Sequence, residues 1–326
     1  MGYKGTIRSI GAAVRTAERN AKRRQRELEK QAKEIQKMEE LERASFEVSK
    51  YENELEVLTT LHNDMSGCNM SLLENLVEPI EPTYHKTKEL KARQVLSDYK
   101  PGIFDKVFGT GDKKVSKLES KIELATEQDK HTFDLSMDRW RTEKKEFSYF
   151  DKLLSDINSY DRSAVQTWIE LSKPFEELES LGTKVHIDCI GKRLVAEITS
   201  NPIEIIPEVT KSLLKSGKLS EKKTTISKRN EQYQDYIASE SLKISRELFA
   251  MLPYEELIIN SNVKILNKAT GYHERSTVLS VFYVRETIEH INYESIDPSD
   301  AITNFVHNMN FKKTRGFEKV DQIEIT

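Results

Sequence analysis

Apolar positions in the first half of the chain recur in alternating steps of three and four. One seam starts at Val115 and passes through Leu118, Ile122, Ala125, Asp129, Thr132, Ser136, Trp140, Glu143, Phe147, Phe150 and Leu154 to Ile157, with no Pro or Gly inside it. That spacing predicts a helix of about 43 residues, about 65 Å long at ~1.5 Å per residue, burying one narrow stripe against another helix. A second seam begins at Ile7 and runs through Ile10, Val14, Ala17, Ala21, Leu28, Ile35 and Met38. It slips at Leu41 and resumes through Ala44, Val48, Tyr51, Leu55 and Leu58 to Met65. A three-residue slip overwinds a coil locally. The two stripes are compatible in length, and the stretch between them is long enough for a return, so an antiparallel helical hairpin is predicted. Polar residues interrupt both seams, at Asp129, Thr132, Ser136 and Glu143 on one and at Arg24 and Gln31 on the other. These breaks point to packing by more than one neighbour.

Residues 66–111 read as a cap on that hairpin. A short helix is predicted from Ser71 to Val77, an extended break at Pro79 and Pro82, and a further helix from Thr83 to Tyr99 closed by Pro101-Gly102. Ile103, Phe104, Val107 and Phe108 are then expected to plug the end of the bundle. Asn158 to Asp161 ends the long helix and caps another from Ser163 to Leu171.

After Gly182 the period changes. Lys184–Ile190 and Arg193–Thr199 are β-rich runs joined at Gly191, a predicted hairpin. A helix is expected around Val209–Lys215, a mobile lysine-rich loop over Gly217–Lys223, and a strong helix from Ser227 to Leu252. Its predicted buried face is Tyr233, Ile237, Ile244, Leu248 and Met251. Strands follow at Glu256–Asn260 and Thr277–Val284. Asp297-Pro298 opens a helix expected to bury Ile302, Phe305, Val306 and Met309, and Phe317–Ile325 is expected to add an edge strand. The predicted fold class is therefore α+β. Residues 1–182 form a long helical hairpin or coiled-coil domain, and residues 183–326 a compact α+β domain with a small mixed sheet.

Composition fits an elongated chain: 37% of residues are apolar and 32% charged, lean for a single globule of 326 residues. No apolar run approaches the ~18 residues of a membrane span, and no signal-peptide core follows Met1, so a cytoplasmic protein without a transmembrane segment is expected. The two cysteines, Cys68 and Cys189, match no metal or redox spacing. Net charge is only −3, so any pull on polyanions must be local. It is local: Lys4, Arg8, Arg15, Arg19, Lys22, Arg23, Arg24 and Arg26 face the single acid Glu18 in the first 26 residues, while residues 27–60 carry ten acids and five bases. This block is a candidate anion-binding segment for nucleic-acid backbone or an anionic membrane surface. It is equally the solvated, basic end of a helix that pairs with an acidic one.

Candidate chemistry is sparse. Asp188 and Glu197 sit on the two arms of the predicted hairpin, as in metal-dependent nucleases that hold Mg²⁺ between carboxylates. Enzymes of that kind also place a lysine two residues after the second acid, and here that position is Thr199. Gly109-x-Gly111 before a helix lacks the spacing and the preceding strand of a phosphate loop, and His273-Glu274 does not complete HExxH because position 277 is Thr. Arg246-Glu247, Arg275 and Arg285-Glu286 are places where an anionic ligand can be sought. No cofactor and no metal site is implied. The expectation is a non-catalytic interaction or scaffold protein: the coiled-coil arm mediates assembly with itself or a protein partner, and the C-terminal domain docks a partner. The alternatives are a metal-dependent phosphodiesterase acting through Asp188 and Glu197, and an adaptor led by residues 1–26.

Overall fold

A computed structural model describes residues 40–102, 111–266 and 271–324. The helices are α1 Glu40–Thr59, α2 Ser71–Glu74, α3 Thr87–Ser97, α4 Gly111–Asn158, α5 Arg162–Ser172, α6 Glu176–Ser180, α7 Ile226–Met251, α8 Arg285–Glu289 and α9 Pro298–Ala301. The strands are β1 Lys184–Ile190, β2 Arg193–Thr199, β3 Val209–Leu213, β4 Leu219–Lys223, β5 Glu256–Leu266, β6 His273–Val284, β7 Val306–Lys312 and β8 Gly316–Glu318. Contacts divide the described residues into two units. One holds 75–152, and the other holds 40–74 together with 153–324.

Helix α4, which belongs to the first unit as far as Lys152, forms as its seam predicts, and Thr132 is the one seam residue left exposed. Its antiparallel neighbour in that unit is the strap of residues 78–89. Glu78 pairs with Lys144, Trp140 Nε1 donates to the Pro79 carbonyl at 3.1 Å, and the rings of Tyr84 and Phe133 meet edge-on at 5.4 Å. The strap ends at the first turn of α3. Lys86, the residue before that helix, gives no side-chain cap. Instead the buried carboxylate of Asp129 accepts the Lys88 N–H at 2.9 Å and the Glu89 N–H at 2.9 Å. A helix start leaves four N–H groups without partners and favours negative charge, so an acid on a neighbouring helix serves as a cap in trans. This explains an acid in the middle of an apolar seam. Ile103, Phe104, Val107 and Phe108, expected to plug a bundle, lie outside the described residues.

The helical hairpin expected between Ile7–Met65 and Val115–Ile157 is not confirmed. Residues Ile7 to Glu39 lie outside the described residues, and α1 uses its seam elsewhere. Ala44, Val48, Tyr51 and Leu58 are buried as the spacing requires, but α1 packs against β3, β4 and α7. Glu47 pairs with Lys211, and Glu40 lies 3.4 Å from Lys218. A stripe of this period fixes that a face is buried; it does not fix what buries it.

Two elements of the C-terminal half correct the sequence expectation. Val209–Leu213 is a strand and not a helix, and Leu219–Lys223 is its antiparallel partner and not a loop. Gly217, at φ +79°, closes the turn between them, with the Leu214 N–H bonded to the Lys218 carbonyl at 2.9 Å. The polarity that suggested a helix and a loop reflects a two-stranded ribbon whose outer face meets solvent and whose other face meets α1. Beyond Asp297, which caps α9 by accepting the Ser299 and Asp300 N–H groups, the helix is brief. Ile302 and Phe305 are buried as predicted, but Val306 is 67% exposed and belongs with Met309 to strand β7. Of the edge strand expected over Phe317–Ile325, only Phe317 and Glu318 are in a strand among the described residues, as part of β8.

The main sheet has the order β1-β2-β5-β6-β7-β8. Its β2/β5 pair is parallel and its other pairs antiparallel. The chain passes from β2 to β5 through the β3/β4 ribbon and α7, as parallel neighbours require a long crossover. Leu194, Ala196 and Ile198 of β2, Leu257 and Ile259 of β5, and Leu279, Val281 and Tyr283 of β6 share one fully buried face. Ser241 of α7 hydrogen-bonds the Tyr283 hydroxyl at 2.8 Å, placing α7 over that face.

Candidate functional site

Helix α7 is deeply buried, with every residue from Tyr236 to Ser245 buried. Its apolar stripe, Tyr233, Ile237, Ile244, Leu248 and Met251, is the one the spacing predicts. At the same period a second stripe carries Tyr236, Ser239, Glu240, Lys243, Arg246 and Glu247. On an amphipathic helix such a face would meet water. Here residues 61–66, α6 and the turns after α6 and β2 cover it, and each polar group has found a partner. Ser239 Oγ accepts the His62 backbone N–H at 3.0 Å and bonds His62 Nδ1 at 2.8 Å. Lys243 Nζ donates to the Asp64 carbonyl at 3.1 Å and to Glu177 at 2.9 Å. Glu247 accepts both the backbone N–H and the hydroxyl of Ser66. Arg246 donates to the His62 carbonyl and lies 3.8 Å over the ring of Tyr293. Glu240, fully buried, accepts hydroxyl donors from Thr183, Ser200 and Tyr236.

Burial sets the titration of this stripe. Loss of solvent raises the Glu240 carboxyl, against the three hydroxyl donors that hold it down. Burial also raises Glu247, opposed by Ser66 and by the cations Lys243 and Arg246. The same cause lowers His62 below its ordinary value, so its imidazole is neutral at pH 7. Chemically the stripe is a set of acceptors and donors matched to one another. It fastens residues 61–66 along α7.

The outer face of the sheet holds Asp188 and Glu197. The register pairs Asp188 with Val195 and Glu197 with His186, so the two acids, expected on the two arms of the hairpin, share a face. Each is engaged separately. Asp188 lies 2.9 Å from Arg162 and accepts the Cys189 N–H at 2.7 Å. Glu197 accepts the side-chain amides of Asn260 at 2.7 Å and Asn262 at 2.8 Å, with Gln322 at 3.4 Å. Asn260 in turn accepts from Ser280, and Asn262 from Thr277. The C-terminal segment closes this row: Val320 N–H donates to the Thr277 carbonyl and Ile323 N–H to Ser280 Oγ, both at 2.9 Å. Among the described residues no group of three or more His, Cys, Asp or Glu is placed to hold a metal ion.

No family model, curated protein or solved structure matches the chain. Its side chains are therefore the whole basis for a functional reading. Arg285, a candidate anion contact from the sequence, donates instead to the carbonyls of Phe249, Leu252 and Tyr254 and so caps the end of α7. Arg246 is likewise committed to His62 and Tyr293, while Arg275 sits exposed on β6. The basic segment with Arg8, Arg15, Arg19, Lys22, Arg23, Arg24 and Arg26 lies outside the described residues. Among those described, no helix is long and apolar enough to cross a membrane. The polar stripe of α7 escaped the sequence reading. Its signal, Glu240, Lys243 and Glu247 at steps of three and four, is also that of an ordinary solvated face.

Proposed function

We propose that the chain is a non-catalytic interaction protein in which α4 contributes an assembly surface and the C-terminal α+β fold docks a partner. The observation that carries the proposal is a row of three exposed apolar residues on α4, set among polar residues such as His131 and Thr142. Leu124, Leu135 and Tyr149 are 54%, 58% and 52% exposed. At about 100° per residue their steps of 11 and 14 bring all three within about 40° of one line, over roughly 37 Å. The row lies well away from the face occupied by Ile122, Asp129 and Trp140. Exposed apolar residues aligned along a helix are the form in which helices meet partners. The engagement of Asp188, Glu197, Glu240 and Glu247 as internal acceptors supports the same reading, because general acid–base or metal chemistry needs such groups facing a substrate.

The test is light scattering of the full chain across a concentration series. The expected result is a mass above the 37.8 kDa of one chain that returns to the single-chain value in Leu124→Lys/Leu135→Lys. Both positions are exposed, so the charges do not threaten folding. A wild-type mass equal to one chain at every concentration, or association that the double variant leaves unchanged, would refute assembly through this row.

A further inference from the structure

Strand β1 is the outer edge of the six-stranded sheet. The two-residue turn Gly191-Lys192, with Gly191 at φ +61°, makes Ile190 and Arg193 the closing pair of the hairpin. Closing pairs of two-residue hairpins exchange both backbone bonds, and the pattern then alternates along the strand. Residues 190, 188, 186 and 184 therefore bond to β2, while Val185, Ile187 and Cys189 direct their N–H and C=O groups away from the sheet. The direction agrees with the Cys189 N–H, which is taken by the carboxylate of Asp188 and not by β2. Asp188, itself held by Arg162, thus blocks one end of the edge. No backbone bond beyond the β1/β2 ladder reaches Val185 or Ile187 among the described residues.

These free groups open into a cleft of about 500 Å³ between the edge and helices α5 and α6, within the ~300–1,000 Å³ of ordinary binding clefts. Ile169, Pro174 and Phe175 give it an apolar floor. Glu170, Glu176 and Glu179 line its wall against the single cation Lys173, and none of the three acids has an ion-pair partner among the described residues. An edge strand left unprotected invites pairing, and natural sheets cover or charge such edges. Here the protection stops at Asp188, and beside the unprotected part stand carboxylates without counter-ions.

We infer that this cleft is a docking site for an extended, lysine- or arginine-bearing peptide segment of a partner protein, which adds to β1 as a further strand. Backbone bonds to Val185 and Ile187 supply the pairing, and the Glu170, Glu176 and Glu179 wall selects for basic side chains. A second copy of this chain is disfavoured as occupant, since edge-to-edge pairing would bring two such acidic walls together. The inference rests on the reading of the chain as an interaction protein and names the kind of partner its C-terminal fold takes.

Fluorescence anisotropy of the full chain with a labelled hexapeptide alternating lysine and valine tests it. The peptide is expected to bind, and its glutamate–valine counterpart to bind at least about tenfold more weakly, as the wall requires. N-methylation of the alternate peptide nitrogens that would face the edge is expected to weaken binding by about tenfold or more without touching the protein or the peptide charge. Glu170→Lys/Glu179→Lys, both exposed, should reduce affinity for the lysine peptide similarly. Amide exchange at Val185 and Ile187 should slow when the peptide is bound. Absence of binding up to about 1 mM peptide overturns the inference. So does equal binding of the N-methylated peptide, or a dimer formed through β1 that excludes the peptide. The Leu124→Lys/Leu135→Lys light-scattering result is independent of this outcome, so failure of the edge site is distinguishable from failure of assembly through α4.

Discussion

Replacing Asp129 with alanine isolates the cap that α4 provides to α3. The substitution leaves the Lys88 and Glu89 N–H groups, each now 2.9 Å from a carboxylate oxygen, with no local acceptor, because Lys86 supplies none. Loss of a helix cap costs about 0.5–2 kcal/mol, and bonds to an ionised acceptor are the stronger kind, about 1.5–3 kcal/mol each. Water can reach part of this site once the side chain is gone, so the expected loss is about 2–3 kcal/mol, below the sum of the two bonds. The loss should be local to residues 75–152, because among the described residues Asp129 hydrogen-bonds only Lys88 and Glu89 of its own unit. Hydrogen exchange of the α3 amides is the direct assay: a 2–3 kcal/mol loss speeds exchange through local opening by about 30- to 150-fold. Amides in α7 should be unaffected. Asp129→Asn keeps one acceptor and should fall between. Unchanged exchange in α3 in the alanine variant would show that the cap carries no stability and that the acid in the seam needs another explanation.

Glu240→Ala orphans the hydroxyls of Thr183, Ser200 and Tyr236 and leaves a cavity, for an expected loss of about 2–4 kcal/mol in urea denaturation; Glu240→Gln, which keeps an acceptor, should cost about half as much or less. Gly182→Ala forces a side chain into φ +103° with its Cβ 2.8 Å from Asn201 Oδ1, and should destabilise by about 1–3 kcal/mol on the same assay. Asp235 is raised from 3.8 to about 6, first by burial and then by the nearby acid Asp297. A carboxyl raised by folding contributes stability that is complete below the unfolded value and is lost as pH climbs through about 6. Discounted for partial solvent access, that amounts to about 1–2 kcal/mol between pH 4 and 7. Asp235→Asn should flatten this part of the stability–pH curve, and an unaltered slope would refute the assignment.

Periodicity carried much of the architecture and little of its partnering. The seams of α4 and α1 were legible because a buried stripe repeats whatever covers it. The partner was not legible: Trp140 and Asp129 meet a strap containing two prolines, whose extended chain shows no period, and Ala44, Val48 and Tyr51 meet a polar ribbon. Strands β3 and β4 were misread because Lys211, Lys222 and Lys223 sit on a two-stranded ribbon with one solvated face. The β1/β2 hairpin and α7 were legible at their turns and caps, where Gly191 and Pro253 leave few alternatives. At the candidate sites, the sequence placed Asp188 and Glu197 on the two strands of one hairpin. It had no means of seeing that Asn260, Asn262 and Gln322, 63 to 125 residues further along the chain, converge on Glu197.

Acids recur in this fold in one role. Asp129 closes a helix start, Glu197 gathers three side-chain amides, Glu240 gathers three hydroxyls, Glu247 gathers both donors of Ser66, and Asp188 covers an open edge N–H. In each case a carboxylate, which offers several acceptor positions, satisfies donors brought together from distant parts of the chain. Such bonds stabilise only when every donor arrives, and a vacant one costs more than the bond contributes. The acids thereby tie the order of residues 61–66, the C-terminal segment and the α3 start to the rest of their own units. Against that pattern, Glu170, Glu176 and Glu179 stand apart, since no donor or cation among the described residues claims them. Carboxylates left without partners beside an uncovered strand edge are where an interaction protein built this way has binding capacity to spare, and that contrast favours the edge cleft over the saturated interior as the place where a partner is held.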